Sequence, residues 1–177
     1  MIATRASLRD LYLLLAMGFT HPSDQLVEGI ASGDFQNDLA ACLRELGDAD
    51  GADRVLAHTE PGDDLATRLR AEHFRLFVGS RSALVSPYES MMRAELRGET
   101  GMVMLAGSAL DASKAYERFG MAARGQEPPD NIAYQLQFIA LLLDEISAGS
   151  VDAEREHRRY ITAHFTEWID RFCTRVA

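Results

Sequence analysis

The side chains best suited to chemistry are five histidines, His21, His58, His73, His157 and His164, and 27 carboxylates. A metal centre or an acid–base site needs such groups at fixed spacing, and these do not fall into one. His157 and His164 share a helix face, yet a metal there needs carboxylates from elsewhere, so surface or capping positions suit them better. The segment from Gly79 to Ser86 reads GSRSALVS and lacks the lysine of a phosphate-binding loop. HExxH, paired cysteines at metal spacing and a G-x-S-x-G elbow are all missing. No residue pattern calls for an enzyme, a metal or another cofactor.

Charge narrows the partners. The 177 residues carry a formal charge of −9 with a single lysine, Lys114, which disfavours nucleic acid as a partner. An acidic surface favours encounter with a basic partner and also serves solubility. Cys42 and Cys173 are too few and too far apart for a disulfide framework and read as buried small hydrophobes in a reducing compartment. Arg5 and Arg9 before an apolar run imitate a secretory signal, but Asp10 abuts the run and no cleavage site follows. It reads as a first helix, and no other stretch approaches membrane-spanning length. A cytoplasmic protein without stable membrane insertion is expected.

The elements that would position any site are helices. Leu8, Leu11, Leu15 and Phe19 line one face of a helix over 7–19, with Ser7 as its cap and Pro22 ending it. Ser23 caps a short helix to about Ala31, and Gly33-Asp34 turns into another that ends near Gly47. Residues 48–64 are polar and weakly periodic; they hold at most a short helix near 52–57 and can be a flexible connector. Asp63 or Asp64 caps a helix to about Phe77, a loop follows to Pro87, and helices are expected over 88–96 and 108–119. Ile132, Leu136, Ile139, Leu143 and Ile146 form one face of a helix, and Phe138, Leu141 and Leu142 a second. A helix apolar nearly all round lies at the centre of a domain. A last helix is expected over 152–176, with Ile161, Phe165, Trp168 and Phe172 inward. Nothing alternates with period two. The expectation is an all-α, single-domain bundle of roughly eight to ten helices without a sheet.

Three ordered segments carry a resemblance. Glu72-His73-Phe74-Arg75-Leu76-Phe77-Val78-Gly79 precedes Val85-Ser86-Pro87-Tyr88-Glu89-Ser90, and Glu127-Pro128-Pro129-Asp130-Asn131-Ile132-Ala133 opens the apolar helix. With His164-Phe165-Thr166-Glu167-Trp168 near the end, the chain resembles the TorD/DmsD/NarJ family of redox-enzyme maturation chaperones. The resemblance implies an all-helical fold and a chaperone, not an enzyme, that binds the twin-arginine leader or N-terminal segment of a molybdenum-containing oxidoreductase precursor before export. It leaves monomer or homodimer open, with domain swapping as a route. The chain departs from the family pattern at His73, where an aromatic is usual, at Asn131, where the family has histidine, and at Gln135 and Gln137, where glutamates are usual.

A leader with a basic head and an apolar core needs an apolar groove with carboxylates at one end. The residues implied are Glu72, His73, Leu76, Phe77, Tyr88, Glu89, Glu127, Pro128, Asp130 and Asn131. Leu76, Phe77, Tyr88, Met91 and Met92, with Met102 and Met104, would supply the apolar part. Glu72, Glu89, Glu127 and Asp130 would meet the arginines, which favour bidentate contacts. The same residues have plainer roles open to them. Leu76, Phe77 and the methionines can be core, Asp130 can cap the following helix, and Glu127 with Pro128 can shape the turn. A helical metal- or nucleotide-dependent enzyme and a non-chaperone adaptor are the alternatives to a chaperone.

Overall fold

The computed structural model describes residues 2–58, 64–79, 84–99, 107–123 and 127–176. Within them the chain forms ten α-helices and no strand, as its periodicity requires. Helix α1 spans Ile2–Phe19, α2 Asp24–Ser32, α3 Asp34–Glu45, α4 Ala49–Ala57 and α5 Leu65–His73. Helix α6 spans Glu89–Arg97, α7 Gly107–Arg118, α8 Ile132–Ser147, α9 Val151–His164 and α10 Ile169–Val176.

Helix α8 is the axis of the bundle. Both of its apolar faces are buried, from Ile132 through Phe138 and Ile139 to Leu143. Helix α1 lies along it on one side and α9 on another. The rings of Tyr116, Phe119 and Tyr160 close around Phe138 at 4.9–5.9 Å between centroids. Such offset and edge-on pairs add to the burial of their area. Phe172 and Trp168 complete the core from the C-terminal end.

Local signals set most of the boundaries. Ser23 accepts from the Leu26 N–H and starts α2, and Gly33, at φ +85°, lets the chain turn directly into α3. Gly98, at φ +67°, ends α6. Three boundaries differ from expectation. Helix α1 begins before Ser7, which is buried inside the helix and bonds the Glu45 carboxylate of α3 rather than capping. Asp64 sits at φ +72° without a side-chain cap bond to α5, and Asp63 lies outside the described residues. The expected last helix is two helices, because Thr162 and Thr166 bond back to carbonyls four residues earlier. Such bonds bend a helix. The Trp168 indole also takes the His164 carbonyl, and a turn over 165–168 separates α9 from α10.

Of the expected connector, 49–57 is α4, whose Ala52 is buried and which packs on α3; residues 59–63 lie outside the described ones. Cys42 is buried as expected, whereas Cys173 is exposed on the outer face of α10. Removing the ring at the centre of the bundle should be costly. Phe138→Ala should destabilise the protein by about 3–5 kcal/mol in urea denaturation. A loss below about 1 kcal/mol would mean that α8 is not the packing axis.

Candidate functional site: a cleft beside the start of helix α8

The site is built where two distant segments are stitched together. The Pro87 carbonyl accepts from the Ile132 N–H at 2.8 Å, and the Asp130 carbonyl accepts from the Glu89 N–H at 3.1 Å. Tyr88 and Asn131 thereby form an isolated antiparallel bridge. The Asp130 carboxylate is buried and accepts from the Ser90 N–H at 2.9 Å, in the first turn of α6. It therefore caps α6, forty residues away in sequence, and not the helix it precedes. Asn131 takes that second task, its Oδ1 accepting from the Ala133 N–H at 2.9 Å. The amide that stands where the family has histidine is thus the N-cap of α8. The Pro128 carbonyl closes the intervening turn on the Asn131 N–H.

On the other wall, α5 runs into a π turn over Phe74–Val78, closed by the Gly79 N–H on the Phe74 carbonyl at 2.9 Å. Single π turns recur at functional sites because the extra residue re-aims the side chains. Here the turn leaves Phe74 and Val78 more than half exposed, while Phe77 turns inward. Phe77 stacks on Phe172 and meets Phe19 edge-on. Leu76 is half-buried, and its carbonyl accepts from the Val85 N–H at 3.0 Å, which holds the exposed Leu84 next to the turn.

Between these walls lies a cleft of about 340 Å³. Phe19, Phe77, Pro87 and Tyr134 give it apolar surface, and His21, His73, Tyr88, Glu127 and Asn131 give it polar groups. The Tyr88 hydroxyl donates to the Glu127 carboxylate. Burial, and then that carboxylate, push the Tyr88 hydroxyl far above its ordinary value, so it stays a donor. His73 sits edge-on to His21 at 5.6 Å and to Phe77 at 5.2 Å. Burial lowers its pKa, and the Phe19 carbonyl opposes that shift. A half-buried imidazole beside an exposed one, a tyrosine donor and one exposed carboxylate suit a cationic, partly apolar ligand.

Five of the ten residues expected at a site therefore line one cleft: His73, Phe77, Tyr88, Glu127 and Asn131. Pro128, Asp130 and Leu76 shape its walls from behind. Glu72 does not reach it. That side chain is on a separate groove, paired with Arg75, which holds its carboxyl below the ordinary value. Glu89 is fully buried, with Arg93 at 2.9 Å, the Gln135 amide at 2.6 Å and His164 Nδ1 at 2.8 Å. His164 is correspondingly not a surface histidine. Its Nε2 faces the Asp111 carboxylate at 2.8 Å, and Asp111 also takes Arg159. Met92 is core, Met91 is partly exposed, and Met102 and Met104 lie outside the described residues. Sequence reasoning missed His21, Phe19 and Tyr134 as site residues; Phe19 ends α1 and His21 lies just beyond it, and only the packing of α1 on α8 brings them here.

The family model for the nitrate reductase delta subunit matches residues 32–174. The chain belongs to that family, and the match takes in both stitched segments and the π turn. A crystal structure from Archaeoglobus fulgidus, provisionally described as a redox enzyme maturation protein, is similar at 21% identity. It covers 86% of this chain and 82% of its own, with a TM-score of 0.47. A likeness that distant says nothing of function. No curated protein sequence matches the chain significantly.

The two caps should separate in mutants. Asp130→Ala should cost about 1–3 kcal/mol, because it strips the Ser90 N–H of a buried partner, and Asn131→Ala about 1 kcal/mol. Equal, negligible losses in chemical denaturation would contradict the cross-capping. Acid sensitivity is a second test. His73 and His157 both have pKa values lowered by burial from an ordinary 6.5, so the unfolded chain takes up protons first. Their contribution is intact above about pH 6.5 and shrinks as pH falls through the window below it. His73→Phe should flatten the melting temperature against pH in that window; an unchanged slope would contradict the assignment.

Proposed function

We propose that this protein is a cytoplasmic chaperone that binds the twin-arginine leader, or a related N-terminal segment, of a molybdenum-containing oxidoreductase precursor. Bound there, it holds the precursor for cofactor insertion before export. The observation that carries this reading is the cleft itself, which joins an apolar aromatic wall to one exposed carboxylate, Glu127, aimed by the Tyr88 hydroxyl. A leader has the complementary order, an arginine pair followed by an apolar run.

At about 340 Å³ the cleft holds only a few leader side chains. The remaining apolar residues of the leader have a track beside it in Phe74, Val78 and Leu84, all well exposed. Membership of the nitrate reductase delta subunit family supports an oxidoreductase as the client. Among the described residues no helix is long and apolar enough to cross a membrane. In this reading the protein forms no covalent bond with its client and needs no cofactor. Glu89 and Asp130 act by fixing the segments that carry Tyr88 and Asn131, and only Glu127 meets the arginines directly.

Isothermal titration calorimetry with the leader peptide of the oxidoreductase encoded beside this gene tests the proposal. Glu127→Gln should weaken that binding about fivefold, the effect of an ion pair of about 1 kcal/mol at a solvent-exposed rim. Phe77→Ala should weaken it further. An absence of binding to the leader, or equal binding by the Glu127 variant at low salt, would overturn the reading.

A further inference from the structure

Two histidines line the same cleft as Glu127, the one carboxylate there that faces a cationic ligand. His73 is the last residue of α5, and His21 lies just beyond α1. Their rings meet edge-on with 5.6 Å between centroids. The His73 ring also packs edge-on against Phe77 at 5.2 Å, which leaves it half-buried. Its Nδ1 is buried and makes no hydrogen bond among the described residues, so no donor holds that nitrogen in its neutral form. Imidazole is the side chain whose charge changes near neutral pH, and this one sits where a guanidinium would be read.

Four surroundings act on the His73 proton. Burial disfavours it most, the Phe19 carbonyl favours it, the neighbouring His21 disfavours it, and the Glu127 carboxylate favours it. Glu127 is thus the carboxylate to which the His73 charge responds. The other carboxylates around α5 are turned elsewhere: Glu72 is engaged by Arg75, and Asp24 of α2 by Arg70. The Tyr88 and Tyr134 hydroxyls are held above their ordinary range by burial and by Glu127, so neither becomes a competing anion. A proton on His73 and an arginine in the cleft therefore draw on one and the same carboxylate. They also repel each other. Two ligands that oppose each other at one site are linked, and the linkage is reciprocal.

We propose that His73 makes leader binding proton-linked: a proton on its ring drives the arginine head away from Glu127, and a bound arginine drives off the proton. The inference rests on leader binding at the cleft and adds a control to it. The sign follows from the charges. Burial keeps His73 below an ordinary 6.5, so above that pH the ring is neutral and Glu127 is left to the arginine. As pH falls below it, the imidazolium takes a share of the carboxylate and repels the guanidinium, and the leader is held less tightly. The exposed His21 ring beside it lies on the same path, so the arginine head meets imidazole from two elements at once. A change of proton activity then loosens the precursor without a further partner.

The test is calorimetry of the full chain with the twin-arginine leader peptide. Affinity should be roughly fivefold weaker at about pH 5.5 than at about pH 7.5. At about pH 6, titrations in two buffers of different ionisation enthalpy should show protons released as the leader binds. His73→Gln, an amide that does not titrate, and His73→Phe should each lose most of the pH dependence and of the proton release, whatever their affinity at the higher pH. Circular dichroism of the same samples shows whether each variant is folded, and the paired-buffer result on the unaltered protein stands without either. Equal affinity at the two pH values, proton uptake on binding, or a pH dependence unchanged in the folded His73 variants would overturn the proposal. An absence of binding at both pH values overturns the leader reading and this inference with it; binding that ignores pH overturns this inference alone.

Discussion

The bonds between residues 87–90 and 130–132 are the constraint on which the site depends. They join segments forty residues apart with two backbone bonds and one carboxylate, and they do so at the starts of α6 and α8 together. A helix start leaves N–H groups that need acceptors. Here Asp130 answers one start and Asn131 the other, so neither helix can shift without stripping the other's partner. Tyr88 and Glu127 are brought within bonding reach only because the stitch fixes both segments.

Behind the stitch lies a polar chain that is buried at Glu89, Gln135, His164 and Glu156 and reaches the surface at Asp111, Arg159 and Arg118. Glu89 joins Arg93, Gln135 and His164; Asp111 joins His164 to Arg159; and Glu156 joins Arg159 to Arg118. Five elements, α6 to α9 and the 165–168 turn, meet through these groups, with Arg93 reaching the Ala163 carbonyl and Glu167. Buried charges contribute little net stability against an apolar alternative, but removing one partner of such a set is expensive. The network therefore fixes a register between helices more than it adds strength. It places the start of α6, and with it Tyr88, relative to α9.

The bundle was legible because its signals are local and repeated. The face from Ile132 to Ile146 announced a buried α8, Ser23 announced α2, and Gly33 announced a turn, each through a rule that acts within a few residues. The ordered motifs also placed His73, Phe77, Tyr88, Glu127 and Asn131 in one region. What sequence could not supply was partnership across the chain. Asp130 precedes α8 and has a cap-forming side chain, yet the acceptor it offers is spent on α6. His164 looked like a histidine on an outer face, but helices α6 and α7 bring carboxylates to both of its nitrogens. Glu72 belongs to the right motif and lies on the wrong side of α5, because the π turn that follows rotates Phe77 away from it. The break between α9 and α10 rested on threonine hydroxyls bonding back to the helix, against an uninterrupted apolar stripe.

The central claim is that the cleft beside α8 is where the leader is held. It is tested most directly by nuclear magnetic resonance of the labelled protein titrated with a twin-arginine leader peptide. The account predicts the largest shifts at the Phe77, Tyr88, Asn131 and Tyr134 amides and in the His21 and His73 rings. Shifts confined to α3, α4 and α5, or none at saturating peptide, would contradict it.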